Sequence, residues 1–508
     1  MAQSKRSIVC WLLFLGLTLT YAALSPGGIA RMGYMGEEMQ AGNSLLDAGK
    51  CLLTGARPIS PVVWSRHGPV PVLFDLPFLY LGQYVVSQDF MLAFLPVLST
   101  ATVITLLFAW LLDLTSPRRA FLVALGGAFG TMLWPFAYIG LETTQSLFLV
   151  LAGYRALARG PSNSWTAAVI LGICCGLTVG VKSTGIVLLP AVIWLIYAQY
   201  RDRWRHQIPK ILVALAVTGL IWFLGEWGRA PFWGMRGGSA SNIAPWLIDS
   251  FFSYFSNLIG WFGSPNKGLF VFAPPLLVAI YAVPKVWQTH RHLAIFVVLA
   301  VGGLAAGFAF LRGPADEVWG PRYLHSAIAP LLLCIGASRA RPSLRGDLPF
   351  ATLALLGTII SFLGAFYYYG LMLLAATQAS QNTLEAMNGN AVWNQPRLNA
   401  RLFLLWLDRS NEPAPWTPTQ TWMWRRPDDA PPTKAVDLRP LCAPQSLLSR
   451  LWPAPRTPVS SALIAFFVSC LIIGPALLLA SILMGCATDS SPGGSPGGSP
   501  PPAAGTLA

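Results

Sequence analysis

The sequence predicts an all-α polytopic membrane protein of about twelve (roughly 11–13) transmembrane helices, with juxtamembrane helices in its first outer loop. Three observations predict it. Of 508 residues, 54% are hydrophobic and 11% are charged, under half the ~25% of an ordinary soluble domain. Mean hydropathy is +0.56. The apolar residues fall in runs near the ~20 residues that a membrane-crossing helix needs. These values exclude a soluble globular enzyme, a disordered chain and a nucleic-acid-binding module. The net charge of +14 does not reopen that last class, because the basic residues are spread along a hydrophobic chain rather than gathered in a patch.

The candidate spans lie at roughly 7–24, 91–112, 120–138, 142–158, 165–181, 184–200, 209–227, 268–284, 293–311, 323–338, 349–376 and 459–484. Basic residues order them. Lys5 and Arg6 precede the first span and place the N-terminus in the cytoplasm. Arg118 and Arg119, Arg155 and Arg159, and Arg201, Arg203 and Arg205 then fall on the same side. So do Lys285 and Arg291, and Arg339, Arg341 and Arg345. That agreement requires the apolar stretch 70–86, with its Asp75 and Pro77, to lie at the interface or re-enter. The first span reads as an uncleaved anchor because a string of further spans follows it.

The chain then divides into a membrane module over 1–376, whose first outer loop is 25–90, and an irregular extracytoplasmic cap over 377–458. The last span, 459–484, and a flexible Ser/Gly/Pro tail over 485–508 complete it. Localisation follows as a multi-pass protein of the cell inner (plasma) membrane. Cys10, Cys174, Cys175, Cys334 and Cys470 read as small apolar residues of the spans. Cys51 and Cys442 are both outer and are candidates for a disulfide.

The topology sorts the polar residues, and the unusual ones land at outer helix ends. Glu37 and Glu38 are adjacent carboxylates before a short helix over Met39 to Leu46. They fit a general base with a raised pKa or a plain acidic helix N-terminus. Arg66 and His67 lead into the 70–86 stretch and suit either a lipid phosphate or interfacial anchoring. Glu142 opens a helix, as a dipole partner or as a cavity-lining group shared with Glu37 and Glu38. In Arg312–Tyr323, Arg322 stands at the membrane edge, suited to a phosphate or to pairing with Asp316 or Glu317. Lys267, in a turn-rich segment, and Lys182 occupy similar places. No HExxH, DxD, Walker or dinucleotide motif occurs. A lipid phosphate is the substrate class that outer carboxylates and cations in a hydrophobic chain suggest.

These segments resemble the GT-C superfamily of integral-membrane glycosyltransferases, in the branch of protein O-mannosyltransferases and lipid A aminoarabinose transferases. Glu37–Gly49 looks like that branch's acidic first-loop motif, with Glu37 where the family has Asp. Arg66-His67-Gly68-Pro69 looks like its basic element before an apolar stretch, with His67 where Lys is commoner. Glu142 matches a second acidic position. Gly176–Lys182, Gly268–Pro274 and Trp319-Gly320-Pro321-Arg322-Tyr323-Leu324 look like further signatures, the last being the most specific.

The resemblance spans roughly 1–340 and implies an inverting transfer. The donor is a polyprenyl-phosphate-linked sugar, and the acceptor is a cell-envelope glycan, lipid or protein hydroxyl. Glu37 or Glu38 acts as base. Arg322, Arg66, His67 and Lys182 hold the donor phosphate, and Glu142, Tyr323, Trp319 and Lys267 line the cavity. No cofactor and no metal ion is expected, although Glu37 and Glu142 together have the chemistry of a metal site. The alternatives are a transporter or flippase of lipid-linked sugars and a non-catalytic envelope assembly protein. A flippase has no need of paired outer carboxylates and favours charges at mid-span.

Overall fold

Helical hydrogen bonding satisfies every backbone group within its own segment, which is what an apolar surrounding demands. The computed structural model accordingly builds the chain almost wholly from helices. It describes residues 3–24, 34–54, 68–84, 88–138, 140–159, 164–235, 251–264, 267–310, 320–339, 344–366, 395–408, 410, 412–416, 436–437 and 458–486.

The N-terminal elements are α1 (Gln3–Leu24), α2 (Tyr34–Thr54), α3 (Pro69–Gly82), α4 (Gln88–Leu92) and α5 (Phe94–Leu111). They continue into α6 (Pro117–Gly130), α7 (Leu133–Phe136) and α8 (Gly140–Gly153), which runs into a π-turn at Tyr154–Ala158. Next come α9 (Trp165–Gly180), α10 (Leu189–Tyr200), α11 (Ile208–Met235), α12 (Phe251–Gly263) and α13 (Leu269–Phe272). The remainder are α14 (Val278–Thr289), α15 (Arg291–Ala309), α16 (Ile328–Ala337), α17 (Leu344–Phe366), α18 (Gln395–Asp408) and α19 (Pro458–Cys486).

Among the described residues, 6 continuous helices are long and apolar enough to cross a membrane: Gln3–Leu24, Phe94–Leu111, Trp204–Gly228, Arg291–Ala309, Arg345–Ala365 and Val468–Cys486. The protein is a multi-pass, all-helical membrane protein. The other apolar stretches are helical but interrupted. Prolines are one cause: Pro190 opens α10 behind a 3₁₀ segment at Ser183–Leu188, and Pro274 opens another at Pro274–Leu277. A proline has no N–H to continue the ladder and is best tolerated in a first turn. The expected count of about twelve spans thus meets 6 unbroken ones. The 70–86 stretch forms α3, whose 14 residues extend only ~21 Å.

Glycines let the helices approach closely. Gly16 of α1 and Gly474 of α19 face one another, and a Cβ on Gly474 would meet Thr20 Oγ1 at 2.6 Å. Gly172 and Gly176 of α9 lie against Ala214, Thr218 and Ile221 of α11 in the same way. A continuous core joins α1, α5, α6, α8 to α10 and α13 to α17.

Two helices depart from expectation. The first-loop helix was expected only over 39–46 but runs over Tyr34–Thr54. The cap, expected to be irregular, contains α18, which packs on α17 through Asn399 Nδ2 donating to Leu363 O at 3.0 Å and a Phe362–Phe403 ring contact. Its packed face, Asn399, Leu402 and Phe403, has the i, i+3, i+4 spacing of an amphipathic helix. In the same cap, Pro415–Trp416 pairs antiparallel with Val436–Asp437.

The basic residues gather at one end of the bundle. Arg6 of α1 pairs with Asp113, just beyond α5, and donates to Ala109 O. Arg119 of α6 pairs with Asp347 of α17 and donates to Gly336 O and Ile335 O, the last carbonyls of α16. Arg155 lies in the π-turn at the far end of α8 from Glu142 and donates to Gln199.

Candidate active site

At the opposite end, each helix break carries one polar residue inward. Glu142 sits in the first turn of α8. Lys182 ends α9 in an extended conformation (φ −141, ψ 135) just before the 3₁₀ segment. Arg322 begins a second 3₁₀ segment, Arg322–Ala327, that feeds α16. Gly320 sets this entry with φ +62, and a Cβ there would meet Met132 Sδ and Phe272. Glycine alone adopts that backbone region without strain.

These breaks place Glu142 Oε1 2.6 Å from Lys182 Nζ and 3.9 Å from Arg322 Nε. Glu142 is 2% and Lys182 7% exposed, so the pair is shut away from water. Tyr323 forms the floor. Lys182 Nζ lies 4.7 Å and Arg322 Cζ 4.9 Å from the centre of its ring. Arg322 Nη2 donates to its hydroxyl at 3.1 Å. The Tyr323 ring stacks on Phe308 and meets Trp261 edge-on, which fixes it between α12 and α15. Lys267 is also buried, and its Nζ lies 3.5 Å from the carbonyl oxygen of Gly320, two residues before Arg322.

A polar layer lies beneath. Ser146 Oγ donates to Glu142 O at 2.8 Å and lies 2.9 Å from His325 Nδ1 and 3.2 Å from Ser326 Oγ. Ser326 donates to Gln145 Oε1, and Gln145 Nε2 donates to Thr178 O. Glu142 Oε2 and His325 Nε2 are buried and have no hydrogen-bond partner among the described residues. Sequence reasoning missed this layer. Its signal was the polar run Glu142-Thr143-Thr144-Gln145-Ser146 inside an otherwise apolar helix, answered by His325-Ser326 two residues after Tyr323.

The structure therefore brings together Glu142, Lys182, Arg322, Tyr323 and Lys267. Glu37 and Glu38 lie in the first turns of α2, but their side chains fall outside the described residues. Arg66, His67, Trp319, Asp316, Glu317 and Cys442 also lie outside them. The α2–α3 pair nevertheless roofs this end. Gly42 of α2 lies against Val72 and Leu79 of α3. Val70 and Phe74 of α3 pack on Phe148 of α8 and on Val181, the neighbour of Lys182. Among the described residues, no three His, Cys, Asp or Glu gather where a metal ion would sit.

Taking a charge out of water is costly unless it is paired, and a buried ion pair returns little net stability. Such groups mark function more often than they add stability. What the cluster offers chemically is a paired ammonium and guanidinium over an aromatic floor, ordered in advance by one carboxylate. That is a geometry for a phosphate oxygen.

The chain is similar to an aminoarabinose transferase. It is 26% identical over 282 residues to undecaprenyl phosphate-alpha-4-amino-4-deoxy-L-arabinose arabinosyl transferase 2 of Pseudomonas fluorescens (strain Pf0-1). The match covers 51% of this chain and 48% of that protein, so the chain spans about half the length of the curated relative it matches. Among solved structures it is similar to ArnT from Cupriavidus metallidurans bound to undecaprenyl phosphate, with 16% identity, coverage of 95% of this chain and 76% of that one, and a TM-score of 0.41. The apo form of the same protein gives 15% identity, coverage of 94% and 77%, and a TM-score of 0.41. No family model matches the chain.

Proposed function

We propose that this chain is a glycosyltransferase of GT-C type. It moves a sugar from a polyprenyl-phosphate-linked donor to a hydroxyl of a cell-envelope acceptor, with inversion, on the extracytoplasmic side of the membrane. The observation that carries the reading is the buried convergence of Lys182 and Arg322 on Glu142 above Tyr323. The similarity to an undecaprenyl-phosphate-dependent arabinosyl transferase supports the same donor class.

In this reading a carboxylate of Glu37 or Glu38 takes the proton of the acceptor hydroxyl. The oxygen forms a bond to the anomeric carbon through an oxocarbenium-like state, while the bond from that carbon to the phosphate oxygen breaks. Polyprenyl phosphate leaves with the electron pair. Lys182 and Arg322, with Arg66 and His67 from the first outer loop, neutralise its developing charge. Glu142 holds the two buried cations in place before the donor arrives, so little reorganisation remains at the moment of reaction. The phosphate is handled by side-chain cations alone.

The test supplies purified protein in lipid with radiolabelled polyprenyl-phosphate sugars and envelope acceptors. Wild type transfers label, and the double variant Glu37→Gln/Glu38→Gln loses transfer while still binding polyprenyl phosphate. Full transfer by the double variant removes the base assignment.

A further inference from the structure

At the basic end of the bundle, far from Glu142, a crevice of about 390 Å³ opens between α1, α5 and the π-turn of α8. Its lining changes character along its depth. Arg6, Ser7 and Gln3 on α1 and Arg159 after the π-turn form the polar mouth. Trp11, Phe14 and Leu106 form the apolar wall. Arg6 and Phe14 are separated by about two helical turns, or ~12 Å, which is the depth from a phospholipid phosphate to its upper acyl carbons.

The π-turn shapes the mouth. Arg159 N–H donates to Tyr154 O at 3.2 Å, an i to i−5 bond. Its guanidinium then stands 5.2 Å from the Tyr154 ring centre. Single π-turns inside α-helices recur at functional sites. The Tyr154 ring is itself held by an edge contact to Trp110. Charge at the mouth is positive on balance. Arg6 is matched by Asp113, whereas Arg159 is exposed and its described contact is the ring. Trp11 is 63% exposed within an apolar span, so the lower wall faces hydrocarbon.

We propose that this crevice is a binding site for an anionic glycerophospholipid of the leaflet at the basic end. The lipid phosphate engages Arg159, with Arg6 beside it, and one acyl chain lies along Trp11, Phe14 and Leu106. The cationic mouth selects the headgroup by charge, and the aromatic wall selects a molecule with a tail over a free anion. Bound there, the lipid fills the gap between α1 and α8, the helix whose other end carries Glu142.

The test is native mass spectrometry of the full chain in mild detergent. Phosphatidylglycerol and phosphatidylcholine of identical acyl chains are titrated in turn. Wild type binds phosphatidylglycerol about tenfold more tightly, the scale of one charge-assisted contact. Arg159→Ala removes the preference without changing thermal unfolding, and Thr105→Trp, which fills the crevice, removes it independently. Arg291→Ala, a cation at the same end but outside the crevice, leaves it intact. Millimolar inorganic phosphate does not displace the lipid. Equal binding of the two lipids, a preference that survives both crevice variants, or full displacement by inorganic phosphate overturns the proposal. Tighter binding of polyprenyl phosphate than phosphatidylglycerol, lost in Arg159→Ala, overturns it as well.

Discussion

Arg119 at the basic end and Arg322 at the other end are both largely buried arginines with a carboxylate nearby, yet their surroundings differ. Arg119 donates to two terminal carbonyls of α16 as well as to Asp347. Those carbonyls have no partner within their own helix, and a cation there also complements the helix dipole. Arg119 is thus a tie between α6, α16 and α17. Arg322 instead shares Glu142 with Lys182 and leans on Tyr323. The contacts described for it are to side chains, the Glu142 carboxylate and the Tyr323 ring and hydroxyl. One arginine completes the backbone of the fold, while the other belongs to a charge cluster that helix packing does not require. The lesson is that burial alone does not separate structural from functional charge. What each charge is bonded to does.

That contrast can be broken from several directions. The largest effect is expected at Glu142. Glu142→Gln leaves Lys182 buried without its carboxylate, a change of ~3–5 kcal/mol, read as lower thermal stability in detergent. Adding Lys182→Met to that variant recovers part of the loss, since a neutral pair in the same space costs less than a buried charge without its partner. A smaller effect is expected where only packing is disturbed. Gly474→Val drives a side chain into Thr20 and the α1 backbone and costs ~1–3 kcal/mol by overpacking, without an effect on the site per folded molecule. The smallest is expected at Arg6. Its pair with Asp113 is partly exposed, so Arg6→Ala shifts unfolding by ~0–1 kcal/mol.

Much of this was legible in the sequence. The apolar runs mark where the helices lie, and the basic residues between them gather at one end, as Arg6, Arg119 and Arg155 illustrate. Glu142, Lys182 and Arg322 could be singled out because few charges stand beside apolar spans. Their mutual contact could not, because it depends on three helix breaks from distant parts of the chain. The buried layer of Ser146 and His325 was hidden for a different reason. A hydroxyl or an imidazole near a helix end satisfies many environments, and only packing reveals that His325 is enclosed beside Phe136. The α18 helix was overlooked because its Pro-, Trp- and Arg-rich flanks obscure a short packed face of Asn399, Leu402 and Phe403.

Of the two arginines, Arg322 serves phosphate chemistry and Arg119 serves the fold. Arg322→Ala and Arg119→Ala, compared in one transfer assay normalised to folded protein, test this most directly. Arg322→Ala is expected to lower sugar transfer from polyprenyl phosphate about 10²- to 10³-fold, the effect of removing one donor to a developing anion, with thermal unfolding near wild type. Arg119→Ala unfolds at lower temperature and keeps wild-type transfer per folded molecule. Undiminished transfer by Arg322→Ala, or an equal loss of transfer in both variants, would remove Arg322 from the phosphate site.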